Sequence, residues 1–131
     1  MEKIMCGQEQ CCTVSPKLIF ACSGAADVGE IADRAARKLT KDGIGKMFCL
    51  AGIGGRVDGI MKTTESAEKI LAMDGCPLNC VKNCLEQAGF NKFMYLQLSD
   101  LGFEKGRSPA TEDNINKVSQ KAVEILKPNA G

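Results

Sequence analysis

Eight cysteines and not one histidine occur in this 131-residue chain. Four of the cysteines recur in corresponding places: Cys22 follows a short apolar run, Cys49 closes a second, Cys76 follows a third, and Cys80 stands four residues beyond Cys76. Four thiols gathered at one edge of a small domain would suit a soft metal ion, zinc first among them, because thiolates bind zinc tetrahedrally at about 2.3 Å. With histidine absent, a zinc site here must be built from thiolates, helped at most by a carboxylate or a backbone group. Four protein thiolates would close the shell and leave no position for a substrate, which argues against metal-assisted hydrolysis.

Helical spacing sorts the later cysteines. Cys76, Cys80 and Cys84 would form one stripe on a helix, but at about 1.5 Å rise per residue Cys84 would lie about 12 Å from Cys76 along the axis. One ion cannot take both ends, so Cys76 with Cys80 is the expected pair and Cys84 is expected to face elsewhere. Leu78, Val81, Leu85 and Ala88 would make the packing face, with Cys76 and Cys80 about 100° from its centre. That separation favours ligands over core cysteines, the alternative that the interior preference of free cysteine keeps open. Cys76 also precedes Pro77, a residue favoured at the first helical position, and the start of a helix favours an anion. Asp74 and Asp100 follow the third and fourth apolar runs and read as turn caps, with a supporting role at the site as the alternative. Cys6 and the vicinal Cys11 and Cys12 suit a second thiophilic site, an extension of the first, or no function.

The elements that must position these residues follow from periodicity. Residues 17–21 (KLIFA) read as a buried strand, and residues 26–39 as a helix with Val28, Ile31, Ala32, Ala35 and Leu39 on one face. Residues 46–50 (KMFCL) give a second strand, and the glycine-rich residues 51–55 a turn. A helix is expected over 64–71, capped by Thr63 or Thr64 with Glu65 in its first turn, with Ile70 and Leu71 open to a third strand instead. Pro77 opens a helix that runs to about Ala88 and stops at Gly89. Residues 93–98 (FMYLQL) are the clearest strand, and residues 111–126 the last helix, ended by Pro128. Residues 99–110 form a long polar connection, read either as a lid over the cysteine edge or as a solvated loop.

Such alternation implies an α/β, three-layer, Rossmann-like domain: a short, mostly parallel four-stranded sheet in the order 2-1-3-4 with helices on both faces. In that order the first three cysteine turns are neighbours at the carboxyl edge, where open α/β sheets bind ligands. Residues 1–131 read as a single domain with a cysteine-bearing lead-in over residues 1–16.

Composition narrows the classes. The net charge of +1 from 17 basic and 16 acidic residues lacks the basic excess that phosphate binding requires, so no nucleic acid is expected. No apolar stretch reaches the length of a membrane span, and the polar opening MEKIMCGQEQ lacks the core of a signal peptide. A cytoplasmic location is therefore expected, where thiols stay reduced and cysteine clusters mean metal or redox chemistry. The glycine turns at 22–27 and 51–55 carry neither the Gly-x-Gly-x-x-Gly nor the Gly-Lys-Ser/Thr spacing of a nucleotide site.

Asp74-Gly75-Cys76-Pro77 with Cys80, Ala21-Cys22-Ser23-Gly24, and Cys49-Leu50-Ala51-Gly52-Ile53-Gly54-Gly55 together resemble the DGC-domain proteins, small proteins described as zinc-binding and named for an Asp-Gly-Cys motif. The resemblance covers most of the chain, from Lys17 to Leu126. It implies a zinc ion held by four chelating cysteines, which fall here on Cys22, Cys49, Cys76 and Cys80.

Two functions from different classes are then expected. The first is a zinc-binding protein that senses or carries the metal, with the ion and an unidentified protein as partners. The second is a thiol redox or sulfur-transfer enzyme in which Cys76 attacks and Cys80 or Cys22 resolves. The spacing is Cys-x-x-x-Cys and not the Cys-x-x-Cys of thioredoxin-like motifs, so whether the protein is an enzyme stays open. An iron–sulfur cluster on the same thiolates is a further variant, and an interaction or small-molecule module with incidental cysteines a third class.

Overall fold

Side-chain alternation along the two central strands decides the layers. The computed structural model describes residues 16–127, and in it β1 (Lys17–Ala21) runs parallel to β3 (Lys69–Asp74) in register from Lys17 opposite Lys69 to Ala21 opposite Met73. Successive side chains of a strand point to opposite faces. Leu18, Phe20, Ile70 and Ala72 therefore enter one core with Ile53, Val81 and Leu85, while Ile19, Ala21, Leu71 and Met73 enter the other with Ile31, Leu39, Ile115 and Val118. Strands buried on both faces read as unbroken apolar runs, as KLIFA and ILAM do.

The sheet is completed by β2 (Lys46–Met47) beside β1 and β4 (Met94–Gln97) beside β3. All pairings are parallel, and the order β2-β1-β3-β4 is the 2-1-3-4 expected from the sequence. Helices α1 (Asp27–Lys41) and α5 (Glu112–Leu126) supply one outer layer. The other comprises α2 (Leu50–Gly54), α3 (Asp58–Glu65) and α4 (Cys80–Gln87). The crossover after β1 thus covers one face and the crossover after β3 the other, so the strand order reverses between β1 and β3.

Three local expectations need correction. The helix expected over 64–71 is α3, which lies earlier and ends at Glu65. Thr64 is buried and donates its hydroxyl to the carbonyl of Ile60, a bond that belongs to a helix end and not to a cap. Ile70 and Leu71 belong to β3, since a short apolar run fits a buried strand and a helix equally well on periodicity. The second strand stops at Met47, and one further bond, from the amide of Phe48 to the carbonyl of Ile19 at 2.8 Å, ends the ladder. The glycine turn after it is the short helix α2, with Cys49 at its N-cap position.

The connection after β4 is tethered. A 3₁₀ turn (Leu98–Leu101) opens it, Phe103 is buried beneath it, and Asp27 at the start of α1 accepts bonds from the amides of Gly106 (2.9 Å) and Ser108 (3.0 Å). Those two backbone bonds hold the Asp27 carboxyl below its ordinary range. A carboxylate with a depressed folded pKa stabilises above the unfolded value, and the contribution is lost as pH falls through the folded one. Amide exchange at Gly106 and Ser108 should therefore be protected at pH 6 and lose that protection only as pH falls through the depressed Asp27 value, beneath the ordinary carboxylate range. Asp27→Ala should abolish the difference; protection at pH 6 that survives this substitution would show that the tether lies elsewhere.

Candidate functional site: the cysteine edge

The motif Asp74-Gly75-Cys76 ends β3, and each residue has its own task. The Asp74 side chain, 1% exposed, accepts from the amides of Val81 (2.8 Å) and Lys82 (3.2 Å) and from the Tyr95 hydroxyl (2.7 Å). Two of the four unpaired N–H groups that begin every helix are thus satisfied by a carboxylate arriving from the sheet. Asp74 is the turn cap expected of it, reaching α4 across the loop. Gly75 packs against α1: a Cβ there would meet the Val28 carbonyl carbon at 2.7 Å and its oxygen at 2.8 Å, so no larger residue fits unless α1 moves.

Cys76 is half-buried on the loop between β3 and α4. The sequence placed it at a helix start, but Pro77 and Leu78 lie in a turn, Asn79 is left-handed (φ 57°), and α4 begins at Cys80. The Asp74 cap explains the delay, because its bonds go to Val81 and Lys82. Leu78, expected on the packing face, is 65% exposed, and only Val81 and Leu85 of that face are buried within α4. Cys80 and Cys84 share α4, whereas Cys76 does not, so the three-cysteine stripe is shortened to two.

Cys22 follows β1. Its amide donates to the carbonyl of Met73 at 3.2 Å, continuing the β1–β3 ladder, and its Sγ then accepts the next amide, that of Gly75, at 3.4 Å. The thiol thereby stands at the reversal of strand order and touches the DGC turn directly. Beyond it the chain bends through Ser23 in a left-handed conformation (φ 54°), where the Ser23 hydroxyl donates to Asp33 at 2.7 Å. Burial alone would raise the Asp33 pKa, but hydrogen bonds from Arg37 and Ser23 outweigh it and lower it.

Two clefts meet along this edge. The larger, about 760 Å³, includes Cys22, Cys49, Cys80 and Cys84 in its lining; the smaller, about 380 Å³, is bordered by Cys22, Cys76, Cys80 and Lys105. Cys22 and Cys80 are common to both, Cys49 lines only the first and Cys76 only the second. Cys84 does not face away as expected: its Sγ lies 3.9 Å from the Leu50 carbonyl. Burial first pushes its thiol pKa up, with Cys80 adding to the rise and Arg56 opposing it. Cys6, Cys11 and Cys12 lie outside the described residues. Asp100 is exposed in the 3₁₀ turn.

The donor chemistry fits a soft ion, since free thiols converge on one edge without histidine. Among the described residues, however, no three cysteine, aspartate or glutamate side chains are placed so that they could hold one metal ion together. The four expected ligands share an edge but do not form a closed shell as they stand.

The DGC domain family matches residues 18–122, a span that includes all of the sheet but Lys17 and every cysteine of the two clefts. The chain belongs to the DGC-domain family. A relative from Pseudomonas aeruginosa, the anaerobic and virulence modulator AnvM, is 40% identical over 88 residues, covering 67% of each chain. No solved structure matches the chain.

Gly75→Ala tests the packing of the motif. Overpacking of this kind costs about 1–3 kcal/mol and should lower the melting temperature by roughly 3–15 °C. An unchanged melting temperature would mean that α1 yields without cost at Val28.

Proposed function

We propose that this protein is a thiol-based regulator that binds zinc through the thiolates of Cys22, Cys49, Cys76 and Cys80. One observation carries the reading: Cys22 and Cys80 are shared by two adjoining clefts at the reversal of strand order, with Cys49 added in one and Cys76 in the other. Binding would draw Cys49 and Cys76 toward the shared pair. Cys49 is exposed at the N-cap of a five-residue helix that follows a two-residue edge strand, so few bonds oppose its displacement. When bound, zinc would supply a charge that holds four thiolates together, and the chain's part is to present them at one edge. The Pseudomonas relative is named a modulator, which agrees with a regulatory role, and a reducing cytoplasm would keep the thiols available.

No cysteine is among the fully buried residues of either apolar layer; Cys22, Cys76 and Cys84 pack only at their margins, so the metal is expected to report or regulate and not to fold the chain. Elemental analysis of protein purified without chelator should find about one zinc per chain, retained in Cys84→Ser and lost in Cys80→Ser. Chelator should remove it while the far-ultraviolet circular dichroism at 25 °C stays unchanged. Unfolding on chelation would replace regulation with a structural ion.

A second reading, a thiol redox or sulfur-transfer enzyme, is favoured by the position of Cys76. It lines two clefts, the one of about 380 Å³ and another of about 480 Å³, and Lys105 borders both. A zinc-free wild type in which Cys76 alkylates much faster than the other thiols would support this reading over the first.

A further inference from the structure

Between Cys76 and Cys80 lie only Pro77, Leu78 and Asn79, so the separation of the two thiols depends on what fixes this loop. Asn79 is one of three non-glycine residues with positive φ among those described, a conformation that strains most side chains and is tolerated by asparagine when local bonds repay it. Its carboxamide is held by β4: the Tyr95 hydroxyl oxygen lies 2.8 Å from Asn79 Oδ1, and the Gln97 carboxamide is bonded to the same group. Tyr95 in turn donates to Asp74 Oδ2 at 2.7 Å.

A phenol has one proton, and a carboxylate can only accept. The hydroxyl proton lies between two acceptors, Asp74 Oδ2 at 2.7 Å and Asn79 Oδ1 at 2.8 Å, so Tyr95 bridges the end of β3 and the loop. Gln97 donates from Nε2 to the same Asn79 Oδ1, and its own Oε1 accepts from the Ser99 hydroxyl. The tyrosine proton is retained strongly: burial first, with Asp74 beside it, pushes its pKa up, against a smaller opposing effect from Gln97.

We propose that Tyr95 is a positioning residue of the thiol site: through Asp74 and Asn79 it locks the 75–79 loop and thereby fixes Cys76 relative to Cys80. Tyr95 touches no thiol in this role. The inference rests on the reading that these thiols are the functional groups. It adds that the β3–α4 pair is the rigid half of the site, against which Cys49 closes.

The test measures alkylation rates at each cysteine of reduced, metal-free full-length protein by mass spectrometry, together with zinc affinity and melting temperature. Tyr95→Phe removes only the hydroxyl. Asn79→Gly removes the carboxamide and retains a residue suited to the left-handed backbone, so it carries the test if the first variant does not fold. Loss of a hydrogen bond to a charged group shifts a local equilibrium by about tenfold or more. The Cys76 rate should therefore rise about tenfold relative to Cys49 in either variant, and zinc affinity should fall by a similar factor. Ile115→Ala, a core change on the opposite face, should lower the melting temperature without altering that ratio. An unchanged ratio in both variants, or a uniform rise at all cysteines like that of any destabilised chain, would overturn the inference. A wild type that binds no zinc would refute the zinc reading alone, since the alkylation ratio needs no metal.

Discussion

A carboxylate almost wholly removed from water is tolerated only where hydrogen bonds replace the lost solvent, and at Asp74 the replacements come from two different elements. Two amides of α4 and the hydroxyl of Tyr95 on β4 converge on it. The end of β3, the start of α4 and the end of β4 are thereby tied at one point on the carboxyl edge of the sheet. Removing the carboxylate would take the acceptor from the buried Val81 amide and the half-buried Lys82 amide and leave the Tyr95 hydroxyl donating to Asn79 alone. The position of Cys80, as the first residue of α4, follows from where these bonds allow the helix to begin.

The other half of the edge depends on close packing. Gly75 admits α1 to the motif at a distance that no Cβ would permit, and Gly29 on α1 likewise meets Gly24, where an added Cβ would approach the Gly24 oxygen to 2.6 Å. The loop after β1 is therefore folded back on the first turn of α1, and the Cys22 sulfur accepts the Gly75 amide. Charge and packing act together: Asp74 fixes the loop bearing Cys76 and the start of α4 at Cys80, the glycines bring Cys22 alongside, and Cys49 stands apart at the N-cap of α2, just after the two-residue edge strand. Cys22 and Cys76 thus stand on anchored loops and Cys80 on the first turn of α4, while Cys49 stands on a lightly held segment.

Much of this was legible in the sequence, and the failures have physical causes. The strand order followed from four apolar runs alternating with amphipathic stretches, because parallel strands buried on both faces leave long apolar signatures. The cysteine edge followed from the place of each cysteine after a run. The start of α4 was misplaced because Pro77 is a strong local helix signal, whereas the cap that moved the start to Cys80 comes from Asp74, six residues before it, and is reinforced by Tyr95. Cys84 was set aside by a distance measured from Cys76 along a helix they do not share. Once Cys76 is on a loop, that distance has no bearing, and Cys84 lies in the larger cleft beside Leu50. The tether between Asp27 and the 99–110 connection joins residues about eighty apart, and no local pattern announces it.

The account stands or falls on the shell around the ion. X-ray absorption at the zinc edge, on protein purified without chelator, counts the ligands and gives their distances directly. Four sulfur atoms at about 2.3 Å are expected if Cys49 and Cys76 close on the pair shared by the two clefts. A shell dominated by oxygen or nitrogen, or protein without zinc, would contradict it and leave the edge to thiol chemistry at Cys76.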